Sequence, residues 1–387
     1  MTPEGAVLGA LPAVPIATPW WQDIAPVVEA VRAAHGVAIT VLRMLAVGEL
    51  GPSGIEITYL AEAESGAATE PWDGALDSHP LRLSYAKPGG PAADLRWAKS
   101  VLRDQGLTPN GPVTQVRTWN LSSLWRIQAA DQAVWLKAVP PFFAHEGRLL
   151  EVLAGGPVPS LLGHEGSRVL MREIAGEDCY DAAEPLLSRM VDLLVGLQSA
   201  WAGRTDELLR LGLPDWRGPA LGAAIGEVIA RNAAGLTHED RISLEGFTAG
   251  LPERLADLAG CGLPDTLVHG DFHPGNFRRR GETLTLLDWG DSGVGHPLLD
   301  QPAFLTRIAE EPVPRLREQW HAAWSPAAPG SDPDRAATLL APIAAARQAV
   351  IYQGFLDRIE PSEHPYHRDD PLDWLGRTAS IIRAEQG

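Results

Sequence analysis

Alternating apolar and polar residues predict a small antiparallel sheet in the first half of the chain. Each strand-like run is short, and polar turn residues separate the first three runs. Runs of this kind are typical of hairpin-connected strands. A helix is predicted from about Phe143 to Leu153, before the last run. We therefore expect a lobe of roughly five strands and one helix over residues 109–171. The runs are 113–117, 124–128, 133–138 and 168–174.

The residues before this sheet have a pattern of their own. β-Branched residues at 37–42 and 55–60 indicate two strands, and apolar residues at helical spacing predict a helix over 92–105. Another helix is expected after Asp23, whose carboxylate is suited to capping it, and Gly36 ends that helix. These elements predict a small α/β domain over residues 1–108, with no indication of its role.

From about Ala183 the apolar spacing becomes helical. The apolar side chains recur with the period of an α-helix, and similar stripes return near Ile225, Leu255, Leu340 and Ile381. The second half of the chain is therefore expected to be mostly helical. The first stripe comprises Leu186, Leu187, Met190, Leu193, Leu194 and Leu197.

Composition narrows the class of protein. With 387 residues, the chain is long enough for more than one lobe, and a content of 45 % hydrophobic and 21 % charged residues is typical of a globular protein. A net charge of -17 argues against a nucleic-acid partner. Two distant cysteines, no basic leader and no run of ~18 apolar residues predict a soluble cytoplasmic protein without a membrane partner. The oligomeric state is not indicated.

The most specific pattern in the sequence is LVHGDFHPGNF at residues 267–277, followed by LLDWG at 286–290. The first apolar stretch ends at a glycine turn that leaves Asp271 on a loop, and a Pro-Gly pair then presents Asn276. The second apolar stretch ends in Asp288. Two strand ends are therefore expected to bring Asp271, Asn276 and Asp288 together.

These three residue types suit phosphoryl transfer. The reaction requires a carboxylate to orient and deprotonate the attacking hydroxyl, and oxygen ligands for Mg²⁺. Asp271 fits the first role. Asn276 and Asp288 fit the second, because Mg²⁺ prefers hard oxygen donors.

The order of these residues resembles the aminoglycoside phosphotransferase and choline kinase family, whose hallmark is H-G-D-x-x-x-x-N followed by a strand and D-W or D-F. Residues 295–300, GHPLLD, are similar to the family's G-x-P-x-x-D continuation. In that pattern Asp300 is implied to brace the catalytic loop. The resemblance extends from about Val113 to the C-terminus. It implies an α+β, two-lobed protein-kinase-like fold, with an antiparallel N-lobe sheet and a mostly helical C-lobe, preceded here by the small α/β domain.

The resemblance also implies ATP, Mg²⁺ and a small-molecule hydroxyl acceptor. Lys137, in an apolar strand, is similar to the lysine that contacts ATP phosphates, and a buried lysine of this kind requires an anionic partner. Glu146 matches the family's helix glutamate, and Glu151 is the competing candidate. The turn at Ser122 and Ser123 lies where kinases cover the phosphates, although a plain hairpin turn is an equal alternative.

Residues 170–176 resemble the family's hinge. Backbone groups of about Arg172 and Ile174 are implied to bind the adenine edge, which places a hinge at 172–176 and a helical C-lobe at 177–387.

His269 and His273 also admit a zinc interpretation. Gly270 between the two histidines and Pro274 after them argue against a helix that presents both rings, and the glutamate of H-E-x-x-H is absent. His269 is instead expected to act with Asp271 in the catalytic loop by holding that loop through hydrogen bonds.

The acceptor is open at this stage. An aminoglycoside or amino sugar competes with a neutral sugar such as maltose, with choline and with homoserine. Asp369 and Asp373 are candidate ligands for an amine, and their alternative role is a solvated helix start. A catalytically inactive kinase fold that serves as a binding module is the alternative of another class.

Overall fold

A helix, a hairpin and a second helix make up the N-terminal region of the computed structural model. The structure describes residues 1–18, 20–51, 54–64, 69–129 and 132–386. The two strands of the hairpin are antiparallel. The elements are α1 (Ala25–His35), β1 (Thr40–Gly51), β2 (Gly54–Glu62) and α2 (Gly90–Asp104).

The expected cap of the first helix is wrong. Helix α1 begins at Ala25, and its N-cap residue, Ile24, makes no side-chain capping bond. The carboxylate of Asp23 instead accepts hydrogen bonds of 3.0 and 3.1 Å from the Arg117 guanidinium. Asp23 lies one residue before the N-cap position, where its backbone forms an isolated antiparallel bridge with Arg117.

Five antiparallel strands form the largest sheet, in the order β3-β4-β5-β7-β6. Alternate residues of β4 are buried, as expected for a half-buried strand. Trp125, Ile127 and Leu136 pack with Ala98 and Leu102 of α2. The predicted meander is present, and β6 is a strand that the apolar pattern did not indicate. The elements are β3 (Pro109–Thr118), β4 (Ser123–Ala129), β5 (Gln132–Ala138), α3 (His145–Val152), β6 (Leu161–Glu165) and β7 (Arg168–Arg172).

The remaining chain is mostly helical, as the apolar stripes predict. Two small three-stranded sheets interrupt the helices, in the orders β12-β11-β8 and β10-β13-β9. The strands are β8 (Glu177–Asp178), β9 (Asp215–Trp216), β10 (Thr266–Val268), β11 (Phe277–Arg280), β12 (Thr283–Leu286) and β13 (Gly293–Gly295). The helices are α4 (Glu184–Trp201), α5 (Thr205–Arg210), α6 (Gly218–Asn232), α7 (His238–Gly260), α8 (Gln301–Leu305), α9 (Val313–Trp324), α10 (Pro333–Leu356) and α11 (Asp370–Gln386).

The chain forms two compact units. The first comprises Met1–Gly147, Ser160–Glu173 and Leu356–Tyr366. The second comprises Arg148–Pro159, Ile174–Phe355 and His367–Gly387. The chain thus enters the second unit after Glu173, within the stretch where the hinge is predicted. The boundaries of the predicted domains remain predictions.

Helix α10 is long and apolar enough to cross a membrane, judged by length and composition alone. Within the described part of the chain it is the one helix that meets this test, and 56 % of its apolar window is buried. Burial of that extent is typical of the core helix of a folded unit.

Candidate active site

Two antiparallel strands of the second unit position the loops of the candidate site. β10 ends at Val268, directly before His269, and it pairs with β13, which follows Asp288 in the chain. Gly270 has a φ of 92°, and a Cβ at this position would lie 2.0 Å from the carbonyl oxygen of Asp291. No side chain fits there, so glycine allows the two loops to come into contact.

Asp300 holds the start of the catalytic loop. Its Oδ2 accepts hydrogen bonds from the His269 N–H (2.9 Å) and from Gln198 Nε2 (3.0 Å), and its Oδ1 accepts one from the Gly270 N–H (2.7 Å). The side chain is fully buried. Burial raises the pKa of Asp300, although electrostatic interactions with His269 and Arg347 and the hydrogen bonds that it accepts from the His269 and Gly270 N–H groups oppose that rise.

His269 links the catalytic loop to the strand end before Asp288. Its Nδ1 accepts a hydrogen bond from the Asp271 N–H (3.3 Å), so Nε2 carries the hydrogen and donates it to the Leu287 carbonyl oxygen (2.8 Å). The ring packs edge-on against Trp289, with 4.6 Å between centroids. Burial lowers the pKa of His269. The imidazole is therefore a neutral spacer between two loops rather than a charged group.

The carboxylate of Asp271 receives three hydrogen bonds from side chains of the protein. Oδ2 accepts from Asn276 Nδ2 (3.1 Å) and from His273 Nε2 (3.3 Å), and Oδ1 accepts from Arg307 Nη1 (2.7 Å). Burial alone would raise the pKa of Asp271, but the bond from His273 and the charge of Arg307 outweigh it and hold the pKa well below its usual range. Asp271 is therefore ionised throughout the pH range in which proteins are usually handled.

Asn276 and Asp288 present oxygen atoms beside this carboxylate. The Asn276 amide nitrogen also donates to the Asp271 carbonyl oxygen (2.8 Å), which leaves the amide oxygen as the group suited to a cation. The Leu287 N–H donates to the Asn276 carbonyl oxygen (2.8 Å), which ties Asn276 to the residue before Asp288. Asp271, Asp288 and Asp300 all act electrostatically on His269, so the three carboxylates surround one ring.

Asp288 has an unusual backbone conformation. Its φ is 60°, and it is the non-glycine residue with positive φ among the residues that the structure describes. A side chain in the left-handed region is energetically costly and is found preferentially at functional sites. Asp288 is exposed and directly precedes a short 3₁₀ turn, Trp289–Asp291.

Lys137 and Glu146 form an ion pair in the first unit. Lys137 lies on β5, and Glu146 lies in the first turn of α3, with 2.8 Å between Nζ and Oε1. The two side chains are 13 % and 2 % exposed. The structure therefore gives Lys137 the partner that the resemblance favoured over Glu151.

The other predicted nucleotide residues occupy the same unit or its boundary. The indole nitrogen of Trp119 donates to the Ser122 hydroxyl (3.1 Å), and that of Trp125 donates to the buried Ser123 hydroxyl (3.1 Å). Arg172 ends β7, and Ile174 begins the next part of the second unit. Each hydroxyl accepts in these contacts and can still donate its own hydrogen, so the contacts do not distinguish hydroxyl from backbone groups as candidates for phosphate binding.

Asp369 and Asp373 are exposed at the start of α11. The Asp373 N–H donates to the Asp369 carbonyl oxygen (3.0 Å), as in a first helical turn. Within the described residues, neither side chain makes a hydrogen bond to the catalytic loop. A neighbour, Asp370, and Asp271 both act on Tyr352, whose pKa is raised by burial first and by these carboxylates second.

Sequence reasoning missed Arg307 and Tyr352. Arg307 follows α8, 36 residues after Asp271, and Tyr352 lies on α10. Neither belongs to a recognisable motif, so no signal in a single sequence distinguishes them from other surface arginines and helix tyrosines. His273 occupies a variable position inside the motif and was considered only as a zinc ligand.

Solved structures with similar folds support the architecture. A proposed aminoglycoside phosphotransferase from Ralstonia eutropha JMP134 aligns with a TM-score of 0.53 and 15 % identity, covering 76 % of this chain and 98 % of its own. For a choline kinase from Streptococcus pneumoniae the TM-score is 0.51 at 14 % identity, with coverages of 75 % and 99 %. For a choline kinase from Cryptosporidium parvum Iowa II it is 0.52 at 10 % identity, with coverages of 76 % and 95 %. The predicted kinase-like fold is confirmed.

Comparison of sequences gives the family. A search of curated proteins finds no significant match. The model of the phosphotransferase enzyme family matches residues 118–339, which is more than half of the chain and contains Asp271, Asn276 and Asp288. Membership of this family supports a small-molecule phosphotransferase. The chain belongs to the phosphotransferase enzyme family.

Proposed function

We propose that this protein is an ATP- and Mg²⁺-dependent kinase that transfers the γ-phosphoryl group to a hydroxyl of a small molecule. The observation that carries the proposal is a hydrogen-bond network in which His269 ties the backbone of Asp271 to Leu287, the residue before Asp288. In the same network, Asn276 bonds to the Asp271 carboxylate and to the Leu287 N–H. Phosphoryl transfer depends mainly on positioning and on charge stabilisation, and this network fixes both loops.

Asp271 accepts the hydrogen bond of the attacking hydroxyl and orients its oxygen. Because its pKa is low, the carboxylate is a weak base early in the reaction and takes the proton only as the new bond to phosphorus forms. Asp300 and His269 keep the loop in place through backbone bonds and do not touch the reacting atoms.

The residues present fit a Mg²⁺ site. Asn276 offers an amide oxygen, because its nitrogen is held by Asp271, and Asp288 offers an exposed carboxylate on a fixed backbone. Both are hard oxygen ligands of the kind that Mg²⁺ binds together with phosphate oxygens and water. When bound, the cation would neutralise negative charge on the phosphate groups.

In the first unit, Lys137 is the proposed phosphate contact and Glu146 its positioning partner. The Lys137 ammonium group is 13 % exposed and therefore requires a compensating anion, which Glu146 provides at 2.8 Å. A phosphate group would be a second anion for the same ammonium group. Ser122 and Ser123 are proposed to contribute backbone N–H groups, and Arg172 and Ile174 are proposed to bind the adenine edge through backbone atoms.

We propose an amine-bearing acceptor, such as an aminoglycoside or an amino sugar. The net charge of -17 favours cationic molecules, and carboxylates at positions 271, 291 and 370 all act on the ring hydroxyl of Tyr352. A neutral sugar, choline and homoserine are the alternatives. Asp369 and Asp373 stay candidates for longer-range attraction. Both cysteines are free and buried, which agrees with the proposed cytoplasmic location.

The proposal is tested by measuring ADP release from ATP and Mg²⁺ with each acceptor class. We expect turnover with at least one amine-bearing acceptor, and loss of that turnover in Asp288→Asn. Asp257→Asn is the matched control, because Asp257 is half-exposed and pairs with Arg335 away from the proposed machinery. A parent protein that binds ATP yet releases no ADP with any acceptor would favour the inactive binding module.

A further test separates the acceptor classes. Exposed charge pairs are screened over ~10 Å at 0.1 M salt, so the KM of an amine-bearing acceptor should rise with salt. Asp369→Asn combined with Asp373→Asn should raise that KM and leave the KM for ATP unchanged. Best turnover of a neutral sugar, with no response to these changes, would reject the amine-bearing acceptor.

A further inference from the structure

Arg307 and His273 both bond to the proposed catalytic carboxylate and have no part in the mechanism above, and Arg307 is the one that contacts Oδ1. Its Nη1 lies 2.7 Å from Asp271 Oδ1, and the two side chains are 49 % and 34 % exposed. The residue follows α8, which begins directly after Asp300, so the element that fixes the catalytic loop also brings Arg307 to its carboxylate.

The hydrogen bonds on Asp271 leave little room for another donor. An ionised carboxylate has about four lone-pair positions. Asn276 and His273 take both positions on Oδ2, and Arg307 takes one of the two on Oδ1. A hydroxyl that is to be oriented by Asp271 must therefore use the last position on Oδ1, beside the guanidinium, or displace Arg307.

Water and a specific acceptor differ in the binding energy with which they can displace Arg307. A small-molecule acceptor is bound by its whole surface, and that binding energy is available to move a half-exposed arginine aside. A water molecule has no such binding energy. The guanidinium itself is a donor only and is always charged, so it cannot act as a base in place of Asp271.

We propose that Arg307 guards Asp271 against water and so suppresses transfer of the γ-phosphoryl group to solvent. This inference rests on the proposed kinase function. In the suppressed reaction, the water oxygen attacks the γ-phosphorus as the bond to the ADP oxygen breaks. The water proton passes to Asp271 Oδ1 and then to solvent, and the products are ADP and inorganic phosphate.

The experiment measures ADP release from ATP and Mg²⁺ without any acceptor. We expect Arg307→Ala and Arg307→Gln to raise this rate at least ~5-fold, because both remove the guanidinium from Asp271 Oδ1 and free that position for the attacking water. Arg315→Ala is the control, since Arg315 is an exposed arginine that pairs with Glu184 (2.7 Å) on another helix. Combining Arg307→Ala with Asp271→Asn should abolish the increase, because the guarded base is then absent.

The outcomes separate this inference from the proposed function. Variants that bind ATP as the parent does, but release ADP no faster than the parent, would overturn the guarding role and leave the kinase proposal intact. An increase that survives Asp271→Asn would also overturn it. Failure of the parent itself to bind ATP would reject the proposed function and this inference together.

Discussion

The catalytic loop and a buried charge cluster in the first unit both place arginines beside carboxyl groups, but the pKa values of these carboxyl groups shift in opposite directions. The buried charge cluster consists of Arg43, Arg82, Glu360 and Glu363, and the exposure of its side chains does not exceed 12 %. Arg82 holds Glu360 with hydrogen bonds of 2.9 to 3.2 Å, and Arg43 Nε lies 3.3 Å from the same carboxylate. In both regions, an arginine pairs with a carboxylate that is partly or fully shielded from water.

The pKa of Glu363 in the buried charge cluster is raised, whereas the pKa of Asp271 in the catalytic loop is lowered. Burial raises the pKa of Glu363 to about 8, the neighbouring charge of Glu360 adds to the rise, and Arg43 and Arg82 only reduce it. In the catalytic loop, His273 and Arg307 overcome the burial of Asp271 and lower its pKa. Direct side-chain donors at 2.7 to 3.3 Å keep Asp271 charged when it is desolvated, whereas the hydrogen bond that Glu363 accepts from the Met44 backbone does not offset its burial.

The comparison separates the carboxylate that we propose to take part in the reaction from a structural one. Asp271 is kept ionised at the edge of solvent, where a hydroxyl can reach it, whereas Glu363 is buried beside a second carboxylate that takes the better arginine contacts. Substitutions in the catalytic loop should therefore affect turnover, and substitutions in the buried charge cluster should affect stability.

The largest effect is expected for Asp300→Ala. The change leaves the buried N–H groups of His269 and Gly270 without the Asp300 acceptor and removes the largest of the carboxylate interactions that favour the buried cation of Arg347. We expect a loss of about 4 kcal/mol in the free energy of unfolding, together with loss of turnover. Urea unfolding and ADP release on the same preparation measure both. Retained turnover in a destabilised variant would show that Asp300 does not brace the loop.

Glu360→Ala should separate stability from activity in the other region. It removes the partner of Arg82 and the nearest carboxylate to Arg43, whose side chain is 3 % exposed. We expect the free energy of unfolding to fall by about 3 kcal/mol, because a buried arginine is left without its main counter-charge. The kcat of the folded variant should equal that of the parent. A fall in kcat at a temperature where the variant is fully folded would contradict the division between the two regions.

Glu363→Gln should have a smaller, pH-dependent effect. A carboxyl whose pKa is raised in the folded state contributes stability that is present below its unfolded pKa and lost as the pH rises through its folded pKa. For Glu363 this window extends from about pH 4.5 to about 8. The stability of the parent relative to Glu363→Gln should therefore fall as the pH rises across this window. Urea unfolding at several pH values measures it, and a difference that is independent of pH would contradict the raised pKa.

The fold was predictable where its signal is local. Alternation along β4 and β5 and the helical stripe of α4 each follow from a few neighbouring residues. The two-residue strands β8 and β9 carry no such pattern, because pairing with strands far along the chain defines them. The cap expected of Asp23 was wrong for a similar reason, since its partner lies 94 residues away.

The candidate site likewise contains residues that a local motif predicts and residues that only tertiary contacts bring together. Asp271, Asn276 and Asp288 lie within one short stretch whose spacing is constrained by two strand ends, and the roles assigned to them remain predictions. Arg307 reaches Asp271 from 36 residues away through a tertiary contact, and Arg82 reaches Glu360 across 278 residues. A single sequence does not encode such pairs as a pattern, so only the folded chain reveals them.

The most direct test of the account is phosphoryl transfer by Asp271→Asn, measured beside ATP binding on the same protein. The substitution keeps the size and polarity of the side chain but removes the proton acceptor. The account predicts that transfer to the best acceptor falls roughly 100- to 10,000-fold while the Kd for ATP stays within about 2-fold of the parent. Turnover near that of the parent, with ATP bound equally well, would show that Asp271 is not the catalytic base.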